Sequence, residues 1–147
     1  MSRVGRAFQD SSSAGRAAFI PYLTVGYPSV TASAELLHGL AEAGADVVEL
    51  GIPFSDPMAD GPTIQRTSQV ALDGGTSIDD VFRVLQSFRT DHETAAVLFT
   101  YLNAPWARGV QTFVEEAASA GADGLLLTDL PLGSDADLEA RLESGPL

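Results

Sequence analysis

The chain has no cysteine and no lysine, and among its 147 residues there are only two histidines. Without cysteine it cannot form disulfides, thiolate nucleophiles, or cysteine-ligated zinc and iron–sulfur centres. Without lysine, Schiff-base catalysis and phosphate binding by a P-loop lysine are excluded. Two histidines leave little for an imidazole metal site. Carboxylates therefore remain as the main groups for acid–base chemistry.

Negative charge dominates the composition, since twenty acidic residues oppose eight arginines and the formal net charge is −12. Such a chain is a poor partner for nucleic acid or an anionic membrane. No stretch approaches 18 consecutive apolar residues, and residues 1–16 lack the apolar segment of a secretory signal. We therefore expect a cytoplasmic protein in which residues 1–16 form a disordered arm or a leading helix.

Short apolar runs alternate with stretches of helical periodicity four times along the chain. The runs are apolar throughout, as in parallel strands that are covered on both faces. Ser77 and Asp80 have the spacing of a capping box, and Gly44 and Gly121 are placed to end helices. The predicted strands are 17–26, 46–53, 95–102 and 123–131, and the predicted helices are 29–43, 64–74, 77–90, 110–120 and 135–143.

The segment AEAGAD at 41–46 is echoed by ASAGAD at 118–123. Each combines a helix end, a glycine and a strand start. One interpretation is an alanine-rich helix ending that is used twice. The other is a repeated βα unit, as in a (β/α)₈ barrel or a doubly wound sheet.

Length limits the architecture, because a complete (β/α)₈ barrel needs about 250 residues. Residues 17–147 have room for four βα units, so the prediction is an α/β fold of TIM-barrel type with only the first four units present. Half a barrel leaves two open sheet edges and an exposed apolar face. The chain would then be a fragment, would self-associate through those edges, or would settle into a flatter sandwich.

Three carboxylates are candidates for chemistry. Glu49 lies in the apolar run Val47–Leu50, where burial would raise its pKa unless an arginine pairs with it. Asp56 and Asp60 follow in a Pro/Gly-rich loop, where aspartate is common for structural reasons. Together the three could serve acid–base catalysis or hold Mg²⁺ through oxygen ligands.

Two further residues take the same position at strand ends. Tyr101 lies at the end of the third predicted strand and Asp129 at the end of the fourth. Catalytic groups of barrel enzymes occupy this rim, although packing for the tyrosine and turn capping for the aspartate are simpler explanations. Trp106, His38 and His92 are interpreted as structural or surface residues.

Four segments in chain order resemble the N-terminal half of the tryptophan synthase alpha subunit. The longest is so specific that chance is an inadequate explanation. The resemblance covers about residues 17–140. The segments are FIPYLTVGYP (19–28), AGADVVELGIPFSDPMADGPTIQ (43–65), TYLN (100–103) and AGADGLLLTDLP (120–131).

This resemblance implies a (β/α)₈ lyase of tryptophan biosynthesis that cleaves indole-3-glycerol phosphate to indole and glyceraldehyde 3-phosphate. It implies an assembly of two alpha and two beta subunits, in which the beta subunit holds pyridoxal phosphate and the alpha chain needs no cofactor. The implied roles are acid–base catalysis for Glu49 and Asp60, with Asp60 facing the indole nitrogen; substrate binding for Phe19, Tyr101 and Asp129; and beta-subunit contact for Pro53, Asp56 and Pro57.

Three functions are compatible with these residues. The first is a truncated lyase with weak or no activity alone, because barrels of this type bind phosphate on loops after strands 7 and 8. The second is a non-catalytic half-barrel module that binds a beta-type partner. The third, disfavoured by the length of the motif, is another phosphate-sugar enzyme with Mg²⁺ on Glu49, Asp56 and Asp60.

Overall fold

The computed structural model describes all 147 residues, which form seven helices and four strands. No helix is both long enough and apolar enough to cross a membrane. In chain order the elements are α1 (Arg3–Ser13), β1 (Tyr22–Thr24), α2 (Val30–Glu42), β2 (Val47–Gly51), α3 (Pro62–Asp73), α4 (Ile78–Asp91), β3 (Ala95–Thr100), α5 (Asn103–Arg108), α6 (Val110–Ala120), β4 (Gly124–Leu127) and α7 (Ala136–Glu143).

The four strands form one parallel sheet in the order β1-β2-β3-β4. Each strand returns to its neighbour through at least one helix, as a parallel connection requires. The predicted alternation of strand and helix is therefore confirmed. Strands β1 and β4 are the open edges of the sheet.

Helix ends follow the capping signals in the sequence. Ser29 accepts a hydrogen bond from the Ala32 amide at the start of α2. Ser77 and Asp80 form the predicted capping box at the start of α4. Gly121 ends α6 in the left-handed region, with φ of 99°, which glycine adopts without a Cβ clash.

Strand β1 is much shorter than the predicted strand 17–26, because Pro21 has no amide hydrogen to donate to a ladder. Its carbonyl still accepts from the Glu49 amide at 2.9 Å. Helix α5 was not predicted. It has no side-chain cap at its start and contains Pro105 in its first turn, and six residues are too few to show a periodic pattern.

The repeated AGAD segments perform one structural task twice. The Asp46 amide donates to the Phe19 carbonyl at 2.9 Å, and the Phe19 amide donates to the Asp46 carboxylate at 2.7 Å. Asp123 and Ala96 exchange the same two bonds at 2.8 and 2.9 Å. Each aspartate thus joins its own strand to the preceding one at the amino edge of the sheet, which favours the repeated-unit interpretation.

Both aspartates are also paired with arginine. Arg16 donates to Asp46 at 2.6 Å, and this bond, together with the Phe19 amide, holds the pKa of Asp46 well below its ordinary value. Arg89 donates to Asp123 at 2.5 Å in a largely buried contact. The two arginines therefore stabilise the amino edge of the sheet, which lies opposite the carboxyl ends of the strands.

The two faces of the sheet differ in cover. The outer face, which includes Val48, Leu50 and Leu98, is fully buried beneath the helices and forms the hydrophobic core. The inner face has no helical layer, so Phe99 is only half-buried and Leu126 is 38% exposed. An uncovered inner face is what the half-barrel prediction implies.

Candidate active site

Glu49 occupies the inner face of the sheet, in register with Tyr22 on β1 and Val97 on β3. It is half-buried and takes part in none of the ion pairs or side-chain hydrogen bonds of the structure. The alternative of a Glu49–arginine pair is therefore wrong. Burial raises the pKa of the Glu49 carboxyl above its ordinary value. A carboxyl group in this state can hold a proton closer to neutral pH and donate it.

Asp60 is held by a tyrosine that anchors its loop to the sheet. The Tyr101 hydroxyl donates to Asp60 Oδ2 at 3.0 Å and accepts from the Ala59 amide at 2.9 Å. Tyr101 is 4% exposed and its ring lies 5.2 Å from that of Phe54. The end of β3 thereby fixes the position of a carboxylate on the loop that follows β2.

Tyr22 is an aromatic residue whose phenol is near both carboxylates. Tyr22 pairs with Glu49 in the register of β1 and β2, and the centroid of its ring lies 5.3 Å from that of Phe99 in an edge-on contact. Burial raises the pKa of the Tyr22 phenol, and the charges of Asp60 and Glu49 add to that rise. Both carboxylates therefore lie close enough to the same phenol to influence its ionisation.

Sequence reasoning did not single out Tyr22, although a signal was present. Side chains two apart share a face of a strand, so Tyr22 and Thr24 had to face the same side of the sheet. A Cβ on Gly51 would lie 2.1 Å from the Tyr22 hydroxyl. The glycine that follows Glu49 and Leu50 thus makes room for the ring to extend toward the carboxyl edge.

A chain of hydroxyl groups leads from Tyr22 to helix α3. The Tyr22 hydroxyl lies 3.2 Å from Thr24 Oγ1, which lies 2.7 Å from Thr67 Oγ1. Thr67 donates its own proton to the Ile64 carbonyl at 2.9 Å. Because that proton is engaged, Thr24 donates to Thr67 and Tyr22 donates to Thr24. The chain ties β1 to the helix that begins just after Asp60.

Phe19 lies apart from this group of residues. Its backbone pairs with Asp46 and Val47, at the start of β2, and its side chain is 49% exposed. Phe19 precedes Tyr22 by three positions, a distance of about 10 Å in extended chain. The substrate-binding position implied for Phe19 is thus at the amino edge, and the aromatic side chain beside Glu49 is Tyr22.

Asp56 and Asp129 also form hydrogen bonds with residues other than Glu49, Asp60 and Tyr22. Asp56 is exposed and accepts from the Ser55 hydroxyl at 2.6 Å. Asp129 is exposed and accepts from the Leu102 amide at 2.7 Å, which joins the loops after β4 and β3. No three acidic or histidine side chains come together in a group that could hold a metal ion. The geometry therefore does not support Mg²⁺ shared by Glu49, Asp56 and Asp60.

The loop after β2 combines a buried base with an exposed tip. Pro53 is buried, Pro57 is half-buried and Met58 is 84% exposed. Trp106 and Leu132, on the segments after β3 and β4, are 64% and 97% exposed. Three large apolar side chains therefore stand in water on the same rim of the sheet.

A family model described as tryptophan synthase alpha chain matches residues 8–147. The chain belongs to the tryptophan synthase alpha chain family. It is 50% identical over 131 residues to the tryptophan synthase alpha chain of Acidithiobacillus ferrooxidans (strain ATCC 53993 / BNL-5-31), covering 88% of this chain and 48% of that relative. It is 49% identical over 132 residues to that of Dechloromonas aromatica (strain RCB), covering 89% and 49%. The chain thus spans about half the length of these relatives.

Solved structures of the family show the same partial coverage. Subunit alpha from Legionella pneumophila str. Paris superimposes with a TM-score of 0.92 at 38% identity, covering 97% of this chain and 55% of that one. Tryptophan synthase from M. tuberculosis in an aminoacrylate-bound form gives 0.90 at 38% identity, covering 97% and 58%. The predicted family and the prediction of four units of a TIM-barrel fold are both confirmed.

Proposed function

We propose that this chain carries the acid–base half of a tryptophan synthase alpha-type lyase site, which cleaves indole-3-glycerol phosphate to indole and glyceraldehyde 3-phosphate. One observation carries the proposal. An unpaired, half-buried Glu49 lies beside Tyr22 in the sheet, and a tyrosine-held Asp60 lies near enough to the same phenol to raise its pKa. Membership of a lyase family supports the reaction class.

The chemistry requires two carboxyl groups in different states. Protonation of the indole ring at C3 leaves the ring nitrogen electron-poor, and a carboxylate near its N–H stabilises that charge. Asp60 suits this role because Tyr101 donates a hydrogen bond to its carboxylate. Glu49 suits the donor role because burial favours its protonated form.

Bond cleavage then needs a base. The glycerol hydroxyl next to the breaking bond loses its proton, the C–C bond to the ring breaks, and its electron pair returns to the indole ring as the aldehyde forms. We assign the acceptance of that proton to Glu49, which is ionised once it has protonated C3. These steps consist of proton transfers and one C–C cleavage with no net oxidation or reduction, and we propose that the chain uses no cofactor of its own. It also has no lysine for a pyridoxal-phosphate Schiff base, so we assign that group to a beta partner.

Substrate affinity is the expected weakness of this chain alone. The chain spans about half of its relatives, and barrels of this type bind phosphate after strands 7 and 8. One cleft on this chain lies elsewhere, lined by Phe82, Arg108 and Glu116 from α4, α5 and α6. We therefore propose weak or no turnover unless the remaining strands are supplied.

The apolar rim supports binding of a beta-type partner. Met58, Trp106 and Leu132 expose large apolar side chains on the segments that follow β2, β3 and β4, and exposed apolar surface of this kind favours a protein partner. Exposed Asp56 and half-buried Pro57 lie on the same loop as Met58. The same surface would also serve a non-catalytic module, which is the second candidate function.

A chimaera separates the two functions. Residues 1–140 of this chain would be fused to the remaining half of the Acidithiobacillus relative, and indole release from indole-3-glycerol phosphate would be measured with and without a beta subunit. We expect activity in the chimaera and its loss in Glu49→Gln and Asp60→Asn. Glu143 on α7 lies beyond the fusion point and is replaced by the relative's sequence in the chimaera. The matched control is therefore Glu115→Gln, on α6.

The outcomes differ for each candidate. A folded, inactive chimaera that still binds the beta subunit would favour the non-catalytic module. Undiminished activity in Glu49→Gln would refute the acid–base assignment. The unfused chain, assayed in parallel, measures how much activity the four βα units retain.

A further inference from the structure

The two histidines of the chain meet on the outer side of the molecule, 54 positions apart in sequence. His38 lies on α2, and His92 is the residue that caps the end of α4. His38 Nδ1 and His92 Nε2 are 2.9 Å apart, and both residues are half-buried. Phe88 supports them, with the His92 ring stacked on it at 4.8 Å and the His38 ring edge-on at 5.7 Å.

We propose that this histidine pair is a binding site for a divalent transition-metal ion of the Ni²⁺ and Cu²⁺ class. Imidazole nitrogens bind such ions at about 2.0–2.1 Å, so two of them at a right angle lie about 2.9 Å apart. A tetrahedral ion needs a separation of roughly 3.4 Å. The observed spacing of His38 and His92 fits adjacent corners of a square-planar or octahedral ion without movement of either helix.

The pair can exchange its mutual hydrogen bond for a metal ion. In the neutral pair one of the two facing nitrogens carries a hydrogen and the other accepts it. For the ion to bind, that facing nitrogen loses its hydrogen to water while the outer nitrogen of the same ring takes one up, so both rings stay neutral and turn both facing lone pairs toward the ion. The outer nitrogens, His38 Nε2 and His92 Nδ1, have no protein partner and are not buried. Water therefore reaches the rings, which gives an ion a path to them.

The surroundings favour a cation. His92 stands at the C-terminus of α4, where the helix dipole is negative. Glu35 and Glu42 are exposed on α2, three residues before and four after His38, and these spacings share a helix face. Both carboxylates add negative charge to that face of α2, and water would fill the remaining positions on the ion. Arg89 also reaches this corner and donates to the His92 carbonyl at 3.2 Å, but its charge is paired with Asp123.

The composition makes the test unusually clean, because the chain has two histidines and no cysteine. Thermal unfolding of the tag-free chain would be followed with NiCl₂ and with MgCl₂ near neutral pH. We expect Ni²⁺ to raise the melting temperature by roughly 5–10 °C at a hundredfold excess over the dissociation constant. Mg²⁺, which prefers oxygen ligands, should leave it unchanged.

Variants identify the ligands. His38→Gln and His92→Gln should each abolish the Ni²⁺-dependent shift, whatever they do to the melting temperature without metal. Glu42→Gln should weaken it, and Glu143→Gln, on distant α7, is the matched control. If a histidine variant does not fold, selective broadening of the two histidine ring signals by Ni²⁺ in the NMR spectrum of the unaltered chain gives the same information. An absent shift, or one that persists in both histidine variants, would show that the pair is only a hydrogen bond.

Discussion

Replacement of Tyr101 by phenylalanine removes a single oxygen atom, and with it the hydrogen bonds that hold Asp60 and its loop in the proposed site. The ring would stay in its buried position, 4% exposed, against Phe54. Two hydrogen bonds would be lost, one donated to Asp60 Oδ2 at 3.0 Å and one accepted from the Ala59 amide at 2.9 Å. The substitution thus tests whether Tyr101 positions the Asp60 loop.

The magnitude follows from the kinds of bond that are lost. A hydrogen bond to a charged group contributes about 1.5–3 kcal/mol and a neutral one about 0.5–1.5 kcal/mol. Asp60 is half-buried and Ala59 is exposed, so water can replace much of both bonds. We therefore expect Tyr101→Phe to cost about 1–2 kcal/mol of unfolding free energy, a fall of roughly 3–6 °C in melting temperature for a chain of this length.

The assay compares the tyrosines of the chain, of which there are three. Thermal unfolding measures stability, and amide hydrogen exchange measures opening of residues 54–61. Tyr27 is 37% exposed and its hydroxyl has no hydrogen-bond partner, so Tyr27→Phe is the matched control. Exchange should accelerate in Tyr101→Phe only. If Tyr101→Phe leaves both stability and exchange as in the control, the hydroxyl does not hold the Asp60 loop.

Three further predictions concern the inner face of the sheet. Glu49→Gln should raise the melting temperature at neutral pH, because burial raises the pKa of Glu49 and its ionisation therefore costs stability. The gain should disappear as the pH falls to the ordinary glutamate pKa of 4.5, where the carboxyl group is protonated. A gain that is equal at every pH would contradict this. Gly51→Ala should lower the unfolding free energy by about 1–3 kcal/mol in denaturant unfolding, because its Cβ would lie 2.1 Å from the Tyr22 hydroxyl. Gly124→Ala is the control and should lower it less, since the nearest atom is 3.6 Å from its Cβ. Equal losses would show that the Tyr22 ring moves freely. The exposed inner face should drive self-association, so Leu126→Glu should shift sedimentation toward monomer, and a well-folded monomer without the substitution would count against it.

Much of the fold follows from local sequence. Apolar runs and helical periodicity predict all four strands and most helices, because burial on both faces of a parallel sheet leaves a continuous apolar signal. Ser77 and Asp80 show that a cap can be predicted from spacing alone. Strand ends were placed too far out. Pro21 removes a donor from β1, and the ladder between β3 and β4 ends at the pair Thr100 and Leu127.

The candidate site was harder to predict, because it depends on register. Glu49 and Asp60 were found from their position in one strand and the following loop. Tyr22 was missed, because the alternation of strand faces does not say which face meets Glu49. Only the pairing of β1 with β2 places Tyr22 beside Glu49 and Phe19 at the amino edge. The meeting of His38 and His92 is likewise a product of helix packing, which single-sequence periodicity does not report.

Carboxyl-detected NMR tests the central claim most directly, since it observes the two acidic groups without needing turnover. The chain would be labelled with ¹³C at glutamate and aspartate carboxyls and titrated with indole. If Glu49 and Asp60 lie at the edges of the same ring-binding surface, their two signals should shift together with one saturation curve, and the signal of Asp56 should not shift. Movement of neither signal, or of one without the other, would contradict a shared site.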